Sequence, residues 1–119
     1  MKKVLIVEDD KKIALAMGVR LKAYGYEISN AFDAVTAVNI ARKCKPDLIL
    51  LDISMPGGDG FSLAERFQNL TDTAGVPIIF ITASKKHGLK ERAMEMGAAG
   101  FFEKPYDAEQ LVNTVSSLI

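Results

Sequence analysis

Short apolar runs alternate with longer amphipathic stretches along the chain, and this alternation constrains the fold more than any other feature. Three runs, at residues 4–7, 48–51 and 78–81, are rich in branched side chains and are typical of buried parallel strands. Weaker runs at residues 26–29 and 99–102 bring the number of predicted strands to five. Because crossovers between parallel strands are right-handed, the alternation predicts a parallel sheet with helices on both faces.

The stretches between the runs carry apolar residues at helical spacing, which gives each predicted helix one apolar face. The apolar sets are Ile13, Met17 and Leu21; Ala37, Ile40 and Ala41; Leu63, Phe67 and Leu70; Leu89, Ala93 and Met96; and Leu111, Val115 and Leu118. We therefore predict an α/β fold with a doubly wound, five-stranded parallel sheet in the order 2-1-3-4-5. Three helices should cover one face of the sheet and two the other.

Residues at the ends of the predicted helices agree with these boundaries. Gly25 and Gly97 should end the first and fourth helices. Asp10 is expected to cap the start of the first helix, and Asp107 with Gln110 resembles a capping box that opens the fifth.

Length and composition narrow the functional classes. The 119 residues suit one compact domain, which we expect to span residues 1–119. Fifteen basic residues balance fifteen acidic ones, which argues against direct nucleic-acid binding by this domain. The single cysteine, Cys44, excludes an internal disulfide and fits a reducing compartment. With no run near the roughly 18 apolar residues of a membrane helix, we expect a cytoplasmic protein that does not enter the membrane.

Charged and polar residues follow the predicted strands at their carboxyl ends, where open α/β sheets bind ligands. Glu8 and Asp9 follow the first strand, Asp52 the third, Thr82 the fourth and Lys104 the fifth. If the first and third strands are neighbours, their ends lie about 5 Å apart, which crowds three carboxylates into one pocket. Such crowding calls for a cation, and Mg²⁺ suits oxygen ligands. In this pocket Asp52 could attack phosphorus as a nucleophile, Mg²⁺ and Lys104 could stabilise the transferring oxygens, and Thr82 could hydrogen-bond the phosphoryl group.

Four motifs carry these residues and together resemble the receiver domains of two-component signalling. They are VLIVEDD at residues 4–10, PDLILLDISMPGGDG at 46–60, PIIFITA at 77–83 and GAAGFFEKP at 97–105. Each motif alone is a weak signal, but their order and spacing across the whole chain are specific. The resemblance implies a flavodoxin-like three-layer sandwich.

The resemblance also implies roles for individual residues. Asp52 matches the phospho-acceptor. Asp9 matches a direct Mg²⁺ ligand and Glu8 one that acts through water, while Ser54 would offer its backbone carbonyl to the metal. The acidic pair here is Glu8-Asp9, whereas Asp-Asp is commoner in the family.

The remaining implied roles concern the response to phosphorylation. Thr82 matches the switch hydroxyl and Lys104 the lysine that pairs with the phosphoryl group; the Lys104–Pro105 bond is usually cis in the family. Phe101 occupies the aromatic switch position, where many relatives have Tyr. A core aromatic with no switching role is the competing interpretation of Phe101.

As a receiver, the chain would take its phosphoryl group from a sensor histidine kinase or phosphotransfer protein and then control a downstream effector protein or output domain. It would catalyse only its own phosphorylation and dephosphorylation. We interpret residues 85–87, Lys-Lys-His, as the solvated start of the fourth helix, with Lys85, Lys86 and Lys90 near the partner surface. Whether the phosphorylated form pairs as a homodimer is open.

Two alternatives come from other classes. A phosphatase with an aspartyl-phosphate intermediate also needs an Asp at the end of a parallel strand. Such enzymes usually carry a second Asp two residues later as general acid, and here that residue is Ser54. A receiver-like binding module with an inactive site would lack an acid, the acceptor or the lysine, all of which are present.

Overall fold

The computed structural model describes residues 1–55 and 59–119, so Pro56, Gly57 and Gly58 of the second motif lie outside the described residues. Strands and helices alternate in the predicted order. Their bounds are β1 (Lys3–Val7), α1 (Lys11–Ala23), β2 (Glu27–Ala31), α2 (Ala34–Cys44), β3 (Leu48–Asp52), α3 (Gly60–Asn69), β4 (Ile78–Thr82), α4 (Leu89–Glu95), β5 (Gly100–Glu103) and α5 (Ala108–Leu118).

The five strands form one sheet in the order β2-β1-β3-β4-β5, and every neighbouring pair is parallel. This confirms the predicted fold class and strand order. In the register of β1 and β3, Val7 lies beside Leu51. The next residues, Glu8 and Asp52, therefore reach the carboxyl edge of the sheet side by side.

Two apolar layers hold the helices to the sheet, and strand alternation divides the side chains between them. Leu5 and Val7 point into the layer beneath α2, α3 and α4, while Val4 and Ile6 point into the layer beneath α1 and α5. Three helices thus cover one face and two the other, as predicted. Every residue of the central strands β3 and β4 is buried, which explains why these two runs are the most continuously apolar in the sequence.

Aspartate side chains begin four of the helices by accepting backbone N–H groups that have no partner within the helix. Asp10 accepts from Lys12 and Ile13, and Asp107 accepts from Glu109 and Gln110. These contacts confirm Asp10 and Asp107 as the caps of α1 and α5; for Asp107 they show the forward half of a capping box. Asp33 and Asp59 cap α2 and α3 in the same way.

The helix ends also follow the sequence. Gly25 and Gly97 lie directly after the last turns of α1 and α4, with φ of 91° and 83°. Only glycine adopts these angles without strain, which makes both residues effective terminators.

The predicted start of the fourth helix is wrong. Residues 85–87 lie in the loop between β4 and α4, and the helix begins at Leu89 after Gly88. Side chains divert the backbone here, because Ser84 N–H donates to the Thr82 hydroxyl and Lys86 N–H donates to Ser84 Oγ. Such local bonds offer the chain an alternative to a helical turn. Across the described ranges, every helix is too short or too polar to cross a membrane.

Candidate functional site

Three carboxylates meet at the carboxyl edge of the sheet. Glu8, Asp9 and Asp52 each offer one oxygen, and these oxygens lie within 4.8 Å of one another. Asp52 ends β3 and is 5% exposed, Glu8 follows β1 and is 3% exposed, and Asp9 is open to solvent. The pairing of β1 with β3 produces this cluster, because it brings two strand ends that both carry acids into contact.

Lys104 reaches the cluster from the far side of the sheet. Its backbone N–H donates to the Thr82 carbonyl at 2.8 Å, which anchors the residue beside the end of β4. From there its side chain crosses β4, so that Nζ bonds a carboxylate oxygen of Glu8 and lies 3.3 Å from Asp52 Oδ2. Only a long, flexible side chain that ends in a compact charge can span this distance.

Burial and crowding set the charges in the cluster. Burial, followed by the neighbouring Asp52 carboxyl, raises the pKa of Glu8 from its usual 4.5 to about 7, although Lys104 opposes the shift. Burial alone would lower the pKa of Lys104, but its bonds to Glu8 and the charge of Asp52 outweigh it and raise that pKa. Lys104 is therefore an ammonium at neutral pH. Glu8 is the group whose charge changes with pH near neutrality.

A hydroxyl pair adjoins Asp52 on the side that faces β4. Thr82 is completely buried, and its Oγ1 lies 3.0 Å from Ser54 Oγ. Ser84 N–H donates to the same Thr82 oxygen at 3.0 Å. Ser54 N–H in turn donates to Asp52 Oδ1 at 2.9 Å. Sequence reasoning assigned Ser54 only a backbone carbonyl and missed the contact of its hydroxyl.

The Ser54–Thr82 contact could have been found from the sequence if the register of β3 and β4 were known. In the register of β3 and β4, Asp52 lies beside Ile81, so the next residue of β4, Thr82, extends past Asp52. A hydroxyl two residues after Asp52 is therefore within reach of a hydroxyl at the end of β4. Finding this signal requires the strand register and not only the motifs.

Phe101 lies away from the carboxylates, in the sheet beside Phe80. It is partly buried and packs against the layer beneath α2, α3 and α4. Phe80 packs against Phe61 of α3 with ring centroids 5.3 Å apart, and the Arg92 guanidinium of α4 lies 4.2 Å from the Phe61 centroid. Strand register and side-chain contacts thus link β5 to α4 through Phe80 and Phe61.

Two backbone features complete the surroundings of the site. The Lys104–Pro105 bond is cis, as the resemblance implied. At the start of α3, a Cβ on Gly60 would lie 2.6 Å from the Ile53 Cα and 2.9 Å from the Asp52 carbonyl oxygen. Residue 60 must therefore be glycine for α3 to approach the end of β3 this closely.

Comparison with known proteins agrees with this arrangement. Residues 4–116 match the response regulator receiver domain family. The chain belongs to this family and is the receiver domain of a two-component response regulator. It is 36% identical over 116 residues to the response regulator PleD of Caulobacter vibrioides, covering 98% of this chain and 26% of PleD. It is 31% identical over 119 residues to the DNA-binding dual master transcriptional regulator RpaA of Synechocystis sp., covering 100% of this chain and 49% of RpaA.

The chain thus spans about half the length of RpaA and about a quarter of PleD. A different relation holds for the solved structure of the Vibrio cholerae chemotaxis protein CheY4. That structure superposes with a TM-score of 0.91 at 29% identity and covers 100% of this chain and 99% of the other. Receivers similar to this one therefore occur both within longer proteins and as chains of the same length.

Proposed function

We propose that residues 1–119 form one phosphorylatable receiver domain in which Asp52 accepts a phosphoryl group with the help of Mg²⁺. The observation that carries the proposal is the position of the Asp52 carboxylate. It is buried beside two further carboxylates and 3.3 Å from the Lys104 ammonium. A buried carboxylate crowded by two further carboxylates is a candidate for chemistry, because ionisable groups in buried, charge-crowded clefts cluster at functional sites.

The donor set fits a small divalent cation. With all three carboxylates ionised, Lys104 balances one charge and two remain, which matches Mg²⁺. Hard oxygen donors and an open face toward solvent at Asp9 also suit an ion that retains several waters. In this proposal Asp9, Asp52 and the Ser54 carbonyl bind the metal directly and Glu8 binds through water. The metal would supply positive charge against the transferring phosphoryl oxygens.

The proposed donor is a phosphohistidine on a sensor histidine kinase or phosphotransfer protein. One Asp52 oxygen attacks phosphorus, the phosphorus–nitrogen bond breaks, and its electron pair stays on the leaving imidazole. Lys104 remains protonated throughout and neutralises a phosphoryl oxygen, and Thr82 donates a hydrogen bond to another. Dephosphorylation is the attack of water on the same phosphorus, which restores the Asp52 carboxylate and releases inorganic phosphate.

Phosphorylation would then act on a downstream effector protein or an output domain. The proposed output face comprises α4, β5 and α5 together with the loop that carries Lys85 and Lys86, and it includes Phe101 as the switching aromatic. Lys85, Lys86 and Lys90 are all exposed there. A phosphorylation-dependent homodimer through this face is one form the output could take.

Mass spectrometry tests the acceptor directly. Incubation with acetyl phosphate and Mg²⁺ should add one base-labile phosphoryl group to the parent chain and none to Asp52→Asn. Asp72→Asn, a change at a surface aspartate whose contact is an ion pair with Arg42, should be labelled like the parent. Equal labelling of Asp52→Asn would show that the acceptor is another residue.

A further inference from the structure

The hydroxyl of Thr82 is fixed by its neighbours before any phosphoryl group arrives. It has one proton to donate and two lone pairs, and the Ser84 N–H occupies one of these lone pairs. Ser54 Oγ provides the second contact at 3.0 Å. Because Thr82 is completely buried, water cannot replace a partner that it loses.

Ser54 differs from Thr82 in its access to water. Ser54 is exposed, so its hydroxyl can exchange Thr82 for solvent at little cost. Thr82 can leave Ser54 without losing a hydrogen bond only if another partner, such as an acceptor for its own proton, enters the pocket. A phosphoryl group on Asp52 brings three oxygens to this place and is such an acceptor.

Ser54 is also bonded to the acceptor itself. Its backbone N–H donates to Asp52 Oδ1 at 2.9 Å. When Asp52 becomes an acyl phosphate, the negative charge moves from the carboxylate to the phosphoryl oxygens. The charge-assisted bond to Ser54 then weakens at the moment when a competitor for Thr82 appears.

We propose that Ser54 is a positioning residue whose hydroxyl holds Thr82 in its unphosphorylated arrangement and releases it when Asp52 is phosphorylated. This inference rests on the proposed function, since it assigns Ser54 a part in the switching of the same site. It adds a side-chain role to a residue whose proposed contribution to the metal is its backbone carbonyl. This role leaves the bonds that form and break in the proposed phosphoryl transfer as described above.

The phosphoryl mimic BeF₃⁻ with Mg²⁺ measures this holding contact. Ser54→Ala removes the hydroxyl but keeps the N–H and the carbonyl, so the bond to Asp52 and the proposed metal ligand remain. The unphosphorylated arrangement then loses a hydrogen bond that the switched arrangement lacks. We expect BeF₃⁻ to bind Ser54→Ala about 2- to 13-fold more tightly than the parent, the range that one net hydrogen bond corresponds to.

Two further comparisons separate this role from a general effect of losing a serine. Ser84→Ala keeps the backbone N–H that Thr82 accepts and removes only the side-chain bond to Lys86 N–H. It should bind BeF₃⁻ like the parent. In a Thr82→Ala background, Ser54→Ala should have no effect on affinity, because the hydroxyl that Ser54 holds is gone.

Fluorine NMR of bound BeF₃⁻ gives the affinities of the parent and the four variants, including the Thr82→Ala/Ser54→Ala double variant, and thermal unfolding verifies that each variant is folded. Unchanged or weaker binding in Ser54→Ala would overturn the assignment of Ser54. So would an equal gain in Ser84→Ala or an undiminished gain in the Thr82→Ala background. Failure of the parent itself to bind BeF₃⁻ with Mg²⁺ would instead refute the proposed function, so the two failures are distinguishable.

Discussion

Helices α3 and α4 lie on the same face of the sheet, but the sequence attaches them to it very differently. α3 is ten residues long, is capped by Asp59 and buries five residues, among them Phe61 and Phe67. α4 has seven residues and buries one of them, Ala93. Its N-cap residue is Gly88, which has no side chain to cap the helix. α3 begins against the backbone that follows Asp52, whereas α4 packs on the core through Ala93 and the partly buried Leu89.

The exposed ion pairs of α4 and its preceding loop contribute little stability. Lys85 pairs with Glu103, and Arg92 pairs with Asp59 while lying over Phe61. Exposed ion pairs are typically worth less than about 1 kcal/mol each. The difference shows that α3, which adjoins the Asp52 pocket, buries more of its surface than α4, the least buried helix of the proposed output face. A small change in contact energy at Thr82 can therefore bias the position of that face.

The largest effect is expected where α3 meets β3. Gly60→Ala should lower the free energy of unfolding by about 3 kcal/mol, because the new methyl group would collide with backbone rather than with a movable side chain. Gly88→Ala before α4 is the matched control. Its Cβ meets nothing within 4 Å, and its φ of 86° should cost about 1 kcal/mol. Urea unfolding of both variants measures the difference, and equal losses would contradict the rigid attachment of α3.

Glu8 should give the pocket a pH-dependent stability in the absence of metal. Its pKa is about 7 in the folded chain and near 4.5 when unfolded, so the folded state binds more protons between these values. Metal-free stability should therefore fall by about 2 kcal/mol as pH rises from 4.5 through 7. Urea unfolding in EDTA follows this slope, which Glu8→Gln should reduce. A parent slope that Glu8→Gln leaves unchanged would show that another group is responsible.

Metal affinity tests the exposed member of the acidic cluster. Asp9→Asn removes one formal charge and one proposed ligand, and we expect Mg²⁺ to bind at least about tenfold more weakly, or about 1.4 kcal/mol. Glu65→Gln, a charge change of the same size on the exposed side of α3, should keep the parent affinity. Calorimetric titration of the three chains compares them. Unchanged affinity in Asp9→Asn would remove Asp9 from the proposed ligand set.

The smallest effect is expected on the output face. Arg92→Gln removes an exposed ion pair to Asp59 and a cation–π contact with Phe61, and should lower stability by about 1 kcal/mol. Lys90 is also exposed on α4, and it forms no ion pair among the described residues. Lys90→Gln should therefore lower stability by less than Arg92→Gln does. Thermal unfolding compares the two. A loss for Arg92→Gln as large as that for Gly60→Ala would break the contrast between α3 and α4.

The sequence predicted the fold and the meeting of the acids because both follow from strand order. Once β1 and β3 are parallel neighbours, residues directly after Val7 and Leu51 must lie at the same edge. The Ser54–Thr82 contact depends in addition on register and side-chain direction, which the motifs do not contain. The start of α4 was mispredicted because side-chain bonds of Thr82 and Ser84 redirect the loop, and hydrophobic periodicity is blind to such bonds. The chemical roles of the site residues remain predictions.

Backbone amide NMR spectra with and without BeF₃⁻ and Mg²⁺ test the central claim, which is that the Asp52 pocket controls a face that includes the weakly buried α4. We predict large changes at Asp52 and its neighbours together with changes across residues 83–105, while α1 and α2 stay nearly unchanged. The Phe101 ring should change environment as it fills space that Thr82 vacates, because a packed interior does not tolerate a void. Changes confined to the Asp52 pocket, with none across residues 83–105, would contradict the account.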